Sequence, residues 1–109
     1  MTQNMSKAQQ IMSDLLREGS FNGLDGPKVA DSLLAHRGWW KGFIFFQVHG
    51  LGITLRDIGQ LMNADTLWIM PTVAGLDDGL ETLAKSWGAD EVGWIDDSSA
   101  GEVLRVWWD

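Results

Sequence analysis

The sequence contains no cysteine among its 109 residues. That excludes disulfide frameworks, thiolate metal sites and cysteine nucleophiles together. It fits a reducing compartment, so the expected location is cytoplasmic. Long apolar runs are missing too. The longest, residues 42–46, falls far short of the ~20 residues that a bilayer span requires, and residues 1–10 lack the apolar core of a signal peptide. Basic side chains are scarce: eight lysines and arginines stand against fifteen acids, a net charge of −7. That balance argues against binding to nucleic acid, whose phosphates demand a basic surface. No serine lies in a Gly-x-Ser-x-Gly elbow, and the two histidines, His36 and His49, lack zinc spacing. No catalytic motif is legible, so enzymatic activity is not the expectation.

What is present describes one domain over residues 1–109, with an apolar share of 45% that suits a packed core. The charge is uneven. Residues 1–56 carry six basic and four acidic side chains, and residues 57–109 carry two basic and eleven acidic ones. Tryptophan is over-represented, with seven: Trp39, Trp40, Trp68, Trp87, Trp94, Trp107 and Trp108. Tryptophan favours cores, interfaces and cation-binding cages. The adjacent pairs Trp39–Trp40 and Trp107–Trp108 are informative, because strand neighbours point to opposite faces.

Periodicity predicts a first helix over residues 4–17, with Met5, Ala8, Met12, Leu15 and Leu16 on one face. A second opens at Pro27 and ends at Gly38. Residues 42–48 read as a buried strand. Thr54 then caps a third helix with Leu55, Ile58, Leu61 and Met62 inward. Residues 66–70 form a second strand, stopped by Pro71. Asp77 and Asp78 start a fourth helix that ends at Gly88. Strands at 91–95 and 103–108 form a C-terminal hairpin across the loop 96–101. The class is α/β or α+β: a small four-stranded mixed sheet with about four helices. The strand–helix–strand order favours parallel crossovers. The rival is an α+β arrangement in which the second strand runs antiparallel to the first.

Two surfaces are candidates for function. If the first two strands are parallel, His49, Gly50, Gly52, Thr54 and Arg56 form a glycine-rich turn at a helix start, a setting that suits a small anion. Thr72 and Asp96 would join them at the same sheet edge, with a tryptophan wall. This loop has two glycines of a dinucleotide fingerprint, but Leu55 replaces the third. Tryptophan with carboxylate would equally suit a hydrophobic cation. The acids Asp96, Asp97 and Glu102 do not match a calcium-loop pattern, and no cofactor or metal is expected. The other candidate is an interface built on Trp107, Trp108, Trp39 and Trp40. The last strand is a predicted sheet edge, and bare edges invite pairing into a homodimer. The leading expectation is a non-catalytic interaction or accessory protein, whose acidic, tryptophan-rich surface binds a basic protein partner or a second copy. The alternative is a small-ligand domain with a tryptophan-lined pocket.

Overall fold

Two short helices open the chain, and glycine brings them together at backbone distance. The computed structural model describes residues 5–19, 23–45, 65–97, 99 and 101–108. Helix α1 (Lys7–Arg17) is capped by Ser6, whose hydroxyl accepts from the Gln9 amide at 3.0 Å. Helix α2 (Gly26–Ala35) is capped by Asp25 and carries Pro27 in its first turn, as the favoured position of proline dictates. The Gly26 amide donates to the Gly19 carbonyl at 3.0 Å. A Cβ on Gly26 would overlap the Leu16 carbonyl, so only glycine allows this approach.

A 3-10 turn (Arg37–Trp39) leads into β1 (Trp40–Phe45). Strand β2 (Thr66–Pro71) is followed by α3 (Val73–Asp78) and α4 (Leu80–Lys85), and then by the hairpin β3 (Glu91–Asp97) and β4 (Gly101–Trp107). The helix expected to start at Asp77 and Asp78 therefore starts earlier. Thr72 is its cap, accepting from the Gly75 amide at 3.2 Å, and the two aspartates close α3. Gly79, at φ 132°, separates α3 from α4. A residue in that conformation cannot continue a helix, so no capping box forms between Asp78 and Glu81. The expected third helix, at residues 54–62, lies outside the described residues.

The fold is α+β: four helices among the described residues and a four-stranded sheet in the order β1-β2-β4-β3. Every neighbouring pair is antiparallel. The expected C-terminal hairpin is present, but the parallel pairing of the first two strands is not. β1 meets β2 antiparallel, with Phe43 opposite Ile69 and Phe45 opposite Leu67. The helical crossover after β2 does return the chain in the same direction, because β2 and β3 both run antiparallel to β4. It overshoots by one strand, and β4 fills the gap. This also moves the last strand off the edge: β4 is internal, and the edges are β1 and β3. The alternation explains the choice. β4 buries Leu104 and Val106, whereas β3 exposes Glu91, Ile95, Asp96 and Asp97.

The inner sheet face, with Phe43, Phe45, Leu67, Ile69, Leu104 and Val106, packs on Leu16, Val29, Ala30 and Leu33 from α1 and α2 and on Leu80 and Ala84 from α4. Trp40, Trp87 and Trp108 complete this core. Their polar atoms are satisfied, as buried indoles require. Trp40 Nε1 donates to the Leu33 carbonyl at 2.8 Å, and Trp87 Nε1 donates to Ser32 Oγ at 3.1 Å.

Candidate functional site

The antiparallel pairing of β1 with β2 removes the basis of the expected anion site, although β2 and β3 end at the same edge of the sheet, with Thr72 just past the end of β2 and Asp96 near the end of β3. Thr72 follows β2 beside Trp39, where its amide donates to the Trp39 carbonyl at 3.0 Å. Its hydroxyl donates to the Gly38 carbonyl at 2.6 Å. It is a helix cap, with its polar atoms committed to the fold. The chain leaves β1 at Phe45, opposite Leu67 and so at the other end of β2, a strand length of roughly 17 Å away. His49, Gly50, Gly52, Thr54 and Arg56 lie outside the described residues, but the parallel geometry that would have brought Thr72 to their sheet edge is absent. Asp96 is exposed on β3, opposite Glu102. Among the described residues, no group of three or more histidine, aspartate or glutamate side chains is placed to hold a metal ion.

The tryptophan pairs split between environments, Trp107 and Trp108 along the extended chain at the end of β4, and Trp39 and Trp40 across the boundary from the 3-10 turn into β1. Trp40 is 1% exposed and Trp108 0%, so neither offers surface to a partner, and both leave the expected interface set. Trp39 is half-buried, with its ring 4.5 Å from that of His36 and its backbone against Gly75. Trp107 is also half-buried, but on the sheet's outer face.

That outer face is where side chains converge. Across the strands, Ile44, Trp68, Arg105 and Gly93 align in one row, and Thr66, Trp107 and Glu91 align in the next. Arg105 stands between two indoles, its guanidinium carbon 5.9 Å from the Trp68 ring centre and 5.6 Å from that of Trp107. Its Nη1 meets Glu91 Oε1 at 3.0 Å. Tryptophan and carboxylate thus do form a cation site, but it is filled by the protein's own arginine. A cationic ligand would have to displace Arg105.

Beyond this cluster the face is apolar and open. Ile44 is 54% exposed, Ile95 39% and Met70 37%. Ile44, Trp68, Met70 and Val103 line a shallow groove of about 480 Å³, with Gln9 and Asp97 at its rim. None of Trp68, Met70, Val103 or Arg105 was singled out in the sequence as a site residue. The signal was present in β4. A charge at Arg105 within an otherwise apolar run fixes residues 103, 105 and 107 on one face and residues 104 and 106 on the other.

Glu81 on α4 holds a second polar junction. Its Oε1 accepts from Trp94 Nε1 at 2.8 Å, and its Oε2 pairs with Lys85 at 2.9 Å. The hydrogen bond from Lys85, then that from Trp94, and then the lysine's charge hold the Glu81 carboxyl below the ordinary glutamate value. This junction ties helix to sheet and is not a cleft. No family model matches the chain, and no significant similarity emerges with curated proteins or with solved structures.

Proposed function

We propose that this chain is a non-catalytic interaction domain that binds a protein partner through the outer face of its sheet. The observation that carries the reading is the apolar strip of Ile44, Met70, Ile95 and Val103, left open on one side of a sheet whose other side is a packed core. Contiguous exposed apolar surface on a small domain marks interaction sites more often than chance exposure does. Tryptophan and arginine, the residue types that anchor protein interfaces, lie in the same face as Trp68, Trp107 and Arg105.

Charge selects the occupant. The β3–β4 side of the face carries Glu91 and Asp97, and the chain's net charge is −7. The complementary surface is an apolar patch flanked by lysine or arginine. A second copy offers the wrong charge, and the sheet edge expected of the last strand does not exist to pair it. The partner is therefore a different, basic protein, met in the cytoplasm, where a cysteine-free chain forgoes no disulfide.

The test uses a synthetic amphipathic helical peptide of leucine and lysine, beside its leucine–glutamate counterpart. Backbone amide shifts in the protein should centre on Ile44, Met70 and Val103 for the lysine peptide and be absent for the other. The exposed-site variants Ile44→Asp and Met70→Asp should remove the response without loss of fold. Equal response to both peptides, or none, would overturn the reading. So would light scattering that shows the free protein to be a dimer which buries this face.

A further inference from the structure

The two edges of the sheet are finished differently. At β1, the side-chain amide of Gln9 stands in for a neighbouring strand. Its Oε1 accepts from the Phe43 amide at 3.0 Å, and its Nε2 donates to the Phe43 carbonyl at 3.1 Å. That edge is closed at its centre by α1.

The same two bonds fix the phase of the whole ladder. Phe43 turns its N–H and C=O away from β2, so the Phe43–Ile69 pair is a non-bonded one. In antiparallel pairing the bonded and non-bonded pairs alternate, and each residue directs both backbone groups to one side. Ile69 therefore points to β4, and Leu104, its partner there, points back to β2. Trp94, opposite Leu104, must point away from β4. By alternation, Val92, Trp94 and Asp96 present their N–H and C=O groups along the free side of β3. Among the described residues, no hydrogen bond meets these groups on that side.

We propose that this edge of β3 takes up an extended, lysine- or arginine-bearing segment of a partner protein as a fifth strand. Unpaired edges are the standard sites of strand addition, in which backbone bonds supply affinity and alternate side chains supply selectivity. Charge decides the occupant. A second copy paired antiparallel about Trp94 would set Glu91 of one chain against Asp97 of the other, and like charges directly opposed are destabilising. A basic segment turns both positions into attractive pairs. Gly93 contributes no side chain, and the hollow of about 400 Å³ at Glu91, Gly93, Ile95 and Arg105 gives room for one side chain of the incoming strand. The inference goes beyond the outer-face reading, because it rests on backbone groups at the edge rather than on side chains of the face.

The experiment is amide hydrogen exchange in the presence of a saturating short synthetic peptide that alternates lysine with valine. Exchange should slow by about tenfold or more at Val92, Trp94 and Asp96, and not at Gly93 and Ile95, which already bond to β4; a factor of ten corresponds to one well-formed bond. N-methylation of the peptide residues that face β3 should abolish binding, whereas N-methylation in the alternate register should leave it intact. The glutamate–valine counterpart should not bind. No protection, protection without the alternate pattern, or equal binding of the acidic peptide would overturn the proposal. Protection confined to Ile44 and Met70 would overturn it too, while supporting the outer-face reading.

Discussion

At the scale of single residues, position along a strand decides more than residue type. Trp107 and Trp108 are chemically identical neighbours, yet one is half-buried beside Arg105 and the other is in the core. The sequence makes that opposition legible, but it does not say which of the two goes inward, because that depends on the faces of β2 and β3. Gly75 shows the reverse case, a residue whose role no pattern reveals. It sits where α3 crosses the backbone of Trp39, and a Cβ would overlap the Trp39 carbonyl. Gly75→Ala should cost about 2–3 kcal/mol, at the upper end of overpacking effects because backbone must move. Gly38→Ala, where a Cβ meets open space, should change stability by less than about 0.5 kcal/mol. Urea melts of the two variants make the comparison.

At the scale of elements, the junctions between helices and sheet carry the polar chemistry. Glu81 joins α4 to β3 through Trp94, and its carboxyl is held below the ordinary value of 4.5, chiefly by Lys85. A depressed carboxyl stabilises the fold above its unfolded value and loses that contribution as the pH falls through its folded value. Thermal melts from about pH 7 to about pH 3 should therefore show wild type above Glu81→Gln at neutral pH. The gap should close progressively once the pH drops below 4.5. A constant gap would mean that the glutamine harms packing rather than charge. Gln9 makes the other junction. Gln9→Ala removes both partners of Phe43, so the Phe43 amide should exchange faster and stability should fall by about 1–2 kcal/mol. The helices α1 and α2, the strands and the hairpin were all readable from period and caps. The antiparallel join of β1 to β2 was not, since strand–helix–strand order is shared by parallel units and by the split arrangement found here.

At the scale of the whole molecule, net charge sets which partners the chain can meet. The acids of residues 57–109 include those of the β3–β4 hairpin, which forms one end of the open face. Eight basic residues against fifteen acids leave little to neutralise phosphate, so no gel shift with DNA or RNA is expected at physiological salt. A shift that weakens steeply with added salt would show that the basic side chains of residues 1–56 form one continuous surface. The candidate face was only partly legible in the sequence. The excess of tryptophan and acid pointed to a surface, but the strip itself depends on strand order. Met70 lies beside Ile44 and Trp68 through the β1–β2 pairing, but Val103 joins them only because β4 inserts between β2 and β3.

The closure of β1 by Gln9 also bears on how the chain is made. The segment Gly42-Phe43-Ile44-Phe45 is uncharged, rich in aromatic and β-branched side chains and free of proline, the composition that stacks into fibrils when its edge is bare. Gln9 precedes Phe43 by 34 residues, which at ordinary synthesis rates is roughly 2–7 s of translation. The residue that closes this edge is thus always made before the strand it closes.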